Sequence, residues 1–389
     1  MEPDVMQESE IEIFNDPYFV NFIRGRNLSE ATERIYAGRL RSFFEFVGKN
    51  PSQLINKAQK DGSPKLDKLF NDYIENLKKS GKSSNTIINR LDTVKAFYHA
   101  FNVDTKNINK INLIEPAQLV DNKIVSLDQV KEALELSNLR DKAIILLHLS
   151  SGMEATELRC LTYGDFINSI AEYIDLEPKE LFNVKKIANE LLKINEIVGT
   201  WKIEKNRTGK PYVTFNTPES TKAILSYLID RKRKNKVIKS PNDPLFVNSQ
   251  NQTLKKSSHG SIFKRVNNRA NFGYLTKKRR FFSSTMLRKY FKNKLNESGM
   301  DESTINALLG QKLDDNIDYY SDNEIKVLKN KYIGALDELS INKVTIEKEI
   351  IIPDEYKKLM DRLNEKENEL EAIKKHLKQI EQVMNSKDV

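Results

Sequence analysis

Between residues 281 and 332, an arginine, an amide side chain and a tyrosine follow one another in an order that suits attack on a phosphodiester. Arg288 lies in the helical run Met286-Leu287-Arg288-Lys289-Tyr290-Phe291. Leu308-Leu309-Gly310-Gln311 reads as a helix end closed by Gly310. Tyr320 comes nine residues after Gln311, directly behind Tyr319. A guanidinium neutralises a non-bridging phosphate oxygen, an amide hydrogen-bonds the same group, and a phenol attacks phosphorus. A free tyrosine ionises only near pH ~10, so its attack needs a cationic pocket, and Arg288 is the surest member of that pocket. Cations flank the stretch: Lys277-Lys278-Arg279-Arg280 just before Arg288, then Lys289, Lys292 and Lys294.

The chain that must position these groups has 389 residues, enough for two domains with an appendage. Its 39% hydrophobic content, with 14 glycines and 11 prolines, describes a folded protein. High use of Lys, Asn, Ile and Glu favours helix over turn-rich β structure. No apolar run of about 18 residues occurs, so no transmembrane helix is expected. The acidic start MEPDVMQESEIEIF lacks the apolar stretch of a signal peptide. Cys160 is the only cysteine, which excludes an intrachain disulfide and cysteine-based zinc sites and fits a reducing cytoplasm. It reads as a small buried apolar side chain. The four histidines, His99, His148, His259 and His376, are scattered and form no metal box, and His148, on an apolar helix, reads as a packed core residue. Neither a metal nor a cofactor is expected. The net charge of +9 is clustered, and it suits a polyanion partner. A second basic run, Arg231-Lys232-Arg233-Lys234 with Lys236 and Lys239, reads either as a solvated face or as further phosphate contacts.

Taken in order, residues 11–24 carry Phe14, Tyr18, Phe19, Phe22 and Ile23 at helical spacing. Ser29 caps a longer helix with Ile35, Leu40, Phe43, Phe44 and Val47 on one face. Pro51 and Gly62-Ser63-Pro64 punctuate the next segment. A third helix runs through Leu66, Phe70, Tyr73 and Leu77, and a fourth from Ser84 to Phe101, which predicts a four-helix unit. Residues 102–122 read as a linker. Ser126 caps the first helix of a second domain, and Leu139–Ser150 is strongly apolar. Residues 167–200 read as an extra helical stretch. Gly199–Phe215 reads as a hairpin, two β-prone runs around a glycine-containing turn. Leu245-Phe246-Val247 reads as a short strand, Ser261 opens the next helix, and Asn323–Leu339 is helical. In the tail, Tyr356, Leu363, Leu370, Leu377 and Met384 recur every seven residues, as in a coiled coil, with Lys366 the one polar residue in the seam.

Arg288, Leu309-Gly310 and Tyr320 resemble the second half of the catalytic domain of the tyrosine recombinase (phage integrase) family. That family's pattern is His-x-x-Arg, then Leu-Gly-His, then a nucleophilic tyrosine nine residues on. Thr285 and Gln311 stand where the two histidines are usual. Ser151-Gly152-Met153-Glu154-Ala155-Thr156-Glu157-Leu158, with Leu161 and Asp165, resembles the family's first-arginine box, but Glu154 fills the arginine position. Residues 28–36 and 83–91 resemble the family's N-terminal core-binding domain. The resemblance covers roughly residues 11–340.

The resemblance implies a mainly α protein with a small β-hairpin: a helical core-binding domain at 11–101, a catalytic domain at 123–340, and beyond the family region a coiled-coil helix at 354–386. It implies a site-specific DNA recombinase or integrase of mobile elements, with Tyr320 forming a 3′-phosphotyrosyl bond and Arg288 in the pocket. Tyr319 stays open as the nucleophile. A lysine on the hairpin would protonate the leaving 5′ oxygen. Lys205 and Lys210 fit that role better than Arg207, because arginine stays protonated. Thr285 and Gln311 can hydrogen-bond a phosphate but cannot shuttle a proton at neutral pH. Arg159 is the stand-in for the missing first arginine, although five residues place it about 140° round a helix from Glu154. The implied partner is double-stranded DNA, held by Arg24, Arg26, Arg34, Lys82 and Arg90 in the first domain and by Lys277, Lys278, Arg279, Arg280 and Lys289 in the second. A tetramer on DNA follows by resemblance. The rival reading is a DNA-binding protein on the same fold that does not cut.

Overall fold

Serine or aspartate side chains cap the starts of seven of the described helices. The computed structural model describes residues 15–61, 63–105, 123–191, 194, 196–204, 211–276, 279–311, 320–341 and 366. The chain divides between residues 120 and 121 into two units. The protein is mainly helical with two small antiparallel hairpins. The coiled-coil tail read at 354–386 and residues 106–122 lie outside the described residues, Lys366 excepted.

The first unit holds α1 (Pro17–Arg24), α2 (Glu30–Val47), α3 (Pro51–Asp61), α4 (Ser63–Lys79) and α5 (Ser84–His99). Ser29 and Ser83 accept hydrogen bonds from the amides of Thr32 and Thr86, as N-caps should. Asp16 caps α1 and also accepts from Ser52 N and Oγ at 3.0 and 2.7 Å, which fixes the start of α3 against it. The four-helix expectation is therefore corrected to five helices among the described residues. Pro51 opens a helix instead of breaking one, since its fixed φ and missing N–H cost nothing in a first turn. Leu54, Ile55 and Ala58 then bury one face of α3. The core is aromatic, with Phe43 against Tyr73 at 5.1 Å and Phe44 against Phe97 at 5.4 Å, both edge-to-face.

The second unit is organised around α7 (Leu139–Ser151). Near-continuous apolar sequence makes it a buried helix, and Ala143, Ile144, Ile145, Leu147 and Leu149 are all enclosed. It follows α6 (Leu127–Glu135), which opens with the Ser126–Gln129 capping box. Then come α8 (Ala155–Cys160), α9 (Tyr163–Ser169), α10 (Val184–Leu191), the hairpin β1 (Gly199–Ile203) with β2 (Tyr212–Asn216), α11 (Pro218–Arg233) and α12 (Lys256–Arg269). The second hairpin, β3 (Tyr274–Thr276) with β4 (Arg279–Arg280), leads into α13 (Ser284–Glu297), α14 (Glu302–Leu308), α15 (Asp322–Gly334) and α16 (Leu336–Leu339). Helix α7 packs against α11, α13 and β2.

The β1–β2 hairpin forms as read, with Gly199 opposite Asn216 and Ile203 opposite Tyr212. Every residue of β2 is buried, and Trp201 Nε1 donates to Asn216 Oδ1 at 2.6 Å. Three expectations are corrected. Leu245–Val247 is no strand: it is a buried link with single bridges at Pro244 and Val247. Helix α12 starts at Lys256, a turn before Ser261. Cys160 is exposed at the end of α8.

Gly152 ends α7 in the left-handed region, with φ +65°. A Cβ there would lie 2.4 Å from Phe291 Cδ1 and 2.8 Å from Leu309 Cδ2. Conformation and space thus both require glycine. Gly152→Ala should lower stability by about 2–4 kcal/mol in urea unfolding, the sum of a strained φ and an overpacked core. A loss under about 0.5 kcal/mol would refute this account.

Candidate active site

Arg288 sits on the second turn of α13, whose start is fixed by Ser283 accepting from Met286 N. Its guanidinium is mostly enclosed. Nη1 donates to the carbonyl of Gly152, and Nη2 donates to the carbonyl of Leu309 at 2.7 Å. One side chain therefore joins the end of α7 to the end of α14. Glu154 Oε1 lies 3.9 Å from Arg288 Nη2, a long ion pair, with its side chain 40% exposed.

Helix α14 closes as the Leu-Leu-Gly-Gln pattern predicts. Leu309 is the C-cap and Gly310 follows at φ +63°. The amide of Gln311 donates to Asn306 O at 2.8 Å and that of Gly310 to Ala307 O at 3.0 Å, the two bonds of a Schellman motif. The Gln311 side chain is exposed. A Cβ on Gly310 would lie 2.7 Å from the Tyr212 ring, so β2 abuts this turn.

Tyr212 was invisible to sequence reasoning except as a β-prone residue. Its hydroxyl donates to Glu157 Oε2 at 2.7 Å, and the amide of Glu154 donates to the same oxygen at 2.6 Å. Burial raises the Glu157 carboxyl above its ordinary value, opposed by the Tyr212 hydrogen bond. Burial, then Glu157, push the Tyr212 phenol well up, so Tyr212 remains a proton-bearing donor. On the other side of the loop, His148 Nδ1 lies 3.1 Å from Met153 O, and His148 Nε2 lies 3.0 Å from His259 Nε2. The carbonyl requires a proton on His148 Nδ1, so His148 Nε2 accepts and His259 Nε2 donates. His148 is a packed core residue, as read, but its pairing with His259 across 111 residues left no local signal. Among the described residues no group of three or more His, Cys, Asp or Glu side chains is placed to hold a metal ion.

The other candidates fall in different places. Arg159 Nη1 donates to Leu254 O at 3.2 Å and Nη2 to Thr156 Oγ1 at 3.3 Å. Its charge bears on His259, and its bonds lead away from Arg288. Thr285 and Lys289 are exposed on α13. Tyr320 is half-buried, packed on the apolar cluster of Phe291, Leu308 and Tyr332. It directly precedes Ser321, which caps α15 reciprocally with Glu324. Burial, then Glu324, raise its phenol above the ordinary value. Lys205, Arg207, Lys210, Lys277, Lys278 and Tyr319 lie outside the described residues.

In the first unit, Arg24 and Lys82 are exposed. Arg26 lies over the rings of Phe22 and Tyr36, at 4.8 and 5.7 Å. Arg34 is ion-paired with Glu30, and Arg90 donates to Ser42 Oγ. In the second, Arg279 is exposed and Arg280 half-buried on β4. Arg231, from the other basic run, is buried and donates to the carbonyls of Lys236, Pro244 and Leu245. It is a structural cation.

The phage integrase family profile matches residues 122–326, and the profile of its N-terminal SAM-like domain matches residues 16–102. The chain belongs to the phage integrase family. Its members are tyrosine recombinases, which cleave and rejoin DNA through a tyrosine intermediate. A curated relative from Caldanaerobacter subterraneus subsp. tengcongensis, carried under the name tyrosine recombinase, is 24% identical over 302 residues, covering 75% of this chain and 87% of the relative. Among solved structures, the XerH site-specific recombinase bound to palindromic difH substrate is 17% identical, with TM-score 0.48, covering 82% of this chain and 81% of that one. The Tn1549 transposon integrase in complex with circular intermediate DNA is 17% identical, with TM-score 0.48, covering 89% and 98%. The family read from the order of Arg288, Gly310 and Tyr320 is the family matched.

Burial pushes His148 down to about 3, with His259 and Arg288 adding to the effect, and pushes His259 down to about 4, with Arg159 adding to it. Both are held neutral in the fold, while the unfolded chain takes up protons below about pH 6.5. Their contribution is complete above that pH and is lost as pH falls towards 4. The free energy of urea unfolding should drop between pH 6.5 and 5, by at most about 1.4 kcal/mol per pH unit for each histidine. In His259→Gln the slope should flatten, and an unchanged slope would exclude the pair as its source.

Proposed function

We propose that this integrase-family chain is a site-specific DNA strand transferase in which Tyr320 is the nucleophile and Arg288 the principal phosphate-binding cation. The observation that carries the reading is the Arg288 bridge, which joins the first-arginine box to the helix end bearing Gln311. The scissile phosphate would lie on the open side of Arg288, with Gln311 and Thr285 as hydrogen-bond donors. Tyr320 Oη attacks phosphorus, the bond to the 5′ oxygen breaks, and a 3′-phosphotyrosyl link forms. Lys205 or Lys210 would give the leaving oxygen its proton. A 5′ hydroxyl from a partner strand reverses the step, so the bond energy is conserved and no nucleotide cofactor is needed.

Two features set the resting state. Burial and Glu324 raise the Tyr320 phenol above its ordinary value, so its attack would need a cation beside it to take up the developing charge. Glu154 occupies part of the field of Arg288 that a phosphate would use. Residues 11–101 would serve as the core-binding domain and residues 123–340 as the catalytic domain, acting on double-stranded DNA in the cytoplasm. The DNA backbone would be held by Arg24, Arg26, Arg34, Lys82 and Arg90 in the one and by Lys277, Lys278, Arg279 and Lys289 in the other, with Arg280 facing the same DNA. The heptads at 354–386 would join copies of the chain or bind a partner helix, and a tetramer would assemble on two duplexes. Arg159, whose Nη1 donates to Leu254 O, would be the remaining candidate for a second phosphate-binding cation.

A duplex nicked beside the scissile phosphate traps the covalent state. The wild-type chain should give a DNA adduct that survives denaturant, and Tyr320→Phe should give none. Wild-type protein that shifts duplex DNA in a gel without any adduct would establish a binding protein instead. Glu154→Gln removes a charge that competes with phosphate at about 40% exposure. It should tighten binding at low salt by roughly 1.5-fold to five-fold, measured by fluorescence anisotropy, and no change would show that Glu154 leaves the phosphate site clear.

A further inference from the structure

Tyr274 is the most exposed large apolar side chain named among the described residues, at 58%. It lies on β3 directly opposite Arg280 on β4. The Arg280 guanidinium lies over the Tyr274 ring, 5.4 Å from its centroid, and Arg280 Nε donates to Asn268 Oδ1 at 3.1 Å. Among the described residues the two Nη groups of Arg280 take no hydrogen bond. The guanidinium is thus held by a ring on one face and an amide at one edge, and it presents its outer fork.

The base of this hairpin is rigid. Asn267 is buried; its Nδ2 donates to Gly273 O at 3.1 Å and its Oδ1 accepts from Phe282 N at 2.8 Å, so one side chain clamps both strands. Phe281 N donates to Gly273 O at 3.1 Å. Phe272 and Phe282 pack beneath at 5.6 Å. Only Phe281 and Phe282 separate β4 from Ser283, the cap of α13, so the hairpin is continuous with the helix that carries Arg288.

We propose that the β3–β4 hairpin reads sequence beside the cleavage site, with Tyr274 and Asn268 orienting the Arg280 fork onto the O6 and N7 edge of a guanine in the major groove. This rests on the reading of the chain as a DNA strand transferase. A phosphate contact needs only a cation on a flexible stem, which exposed Arg279 supplies. A fixed planar fork beside an exposed ring suits a base pair, where the fork takes the guanine edge and the ring covers a neighbouring thymine methyl or sugar.

The test uses the full chain and a pool of random duplexes, from which wild-type protein enriches its preferred sequence. The enriched sequence should contain a G·C pair whose replacement by A·T weakens binding on the order of ten-fold. Tyr274→Ala and Arg280→Gln should abolish that preference, so that the enriched and the unselected duplexes bind within about two-fold of each other. Arg280→Lys should fail to restore it, because an ammonium lacks the fork, and Tyr274→Phe should keep it. Two results would overturn the proposal: a preference undiminished in Tyr274→Ala, or an Arg280→Gln variant that weakens all duplexes equally and flattens the salt dependence by about 0.9, the mark of a phosphate contact. Wild-type protein that binds no duplex would instead overturn the strand-transferase reading itself.

Discussion

Two hydrogen bonds from Arg288, to the carbonyls of Gly152 and Leu309, tie together segments that lie 136 and 21 residues from it in the chain. Both acceptors are the last carbonyls of helices, which have no partner within their own element. The arginine satisfies them and takes up the negative ends of α7 and α14. The same cation that a phosphate would need is therefore part of the fold. Packing enforces the junction, since Phe291 and Leu309 close over Gly152 and Tyr212 closes over Gly310.

Around that junction the protein has spent several polar side chains on geometry. Tyr212 and the amide of Glu154 converge on one oxygen of Glu157, and His148 holds the carbonyl of Met153. The loop from Gly152 to Glu154 is thus held from both sides. Glu154 stands at its outer end, where a carboxylate meets Arg288 at the limit of an ion pair. An arginine at that position would add a second donor to the phosphate, and the glutamate instead offers it a competitor.

Local signals were legible in the sequence and long-range ones were not. Ser29 and Ser126 could be read as caps because capping is settled within three residues. Gly310 read as a helix end because few other residues tolerate a positive φ. The β1–β2 hairpin followed from its two β-prone runs. Pro51 was misjudged because a proline that breaks a helix and one that begins it look alike without the tertiary contacts of Leu54 and Ile55. His148 with His259, and Tyr212 with Glu157, were out of reach because their partners lie 111 and 55 residues away. Arg231 looked like part of a polyanion patch and is instead buried on three carbonyls. The order of Arg288, Gln311 and Tyr320 was plain, whereas the direction of Arg159 required coordinates.

Tyr320 adjoins the cap of α15, and that position bears on how long a covalent state would last. A phosphoryl group accepted there would come to rest at the start of a helix, ordinarily a favourable place for an anion. The first turn of α15, however, already carries Asp322 and Glu324. The incoming charge would meet two like charges instead of vacant amides, with Ser321 N already given to Glu324. Like charge at its anchor would favour the return of such a link to a DNA hydroxyl, and broken strands would have a short lifetime on the protein.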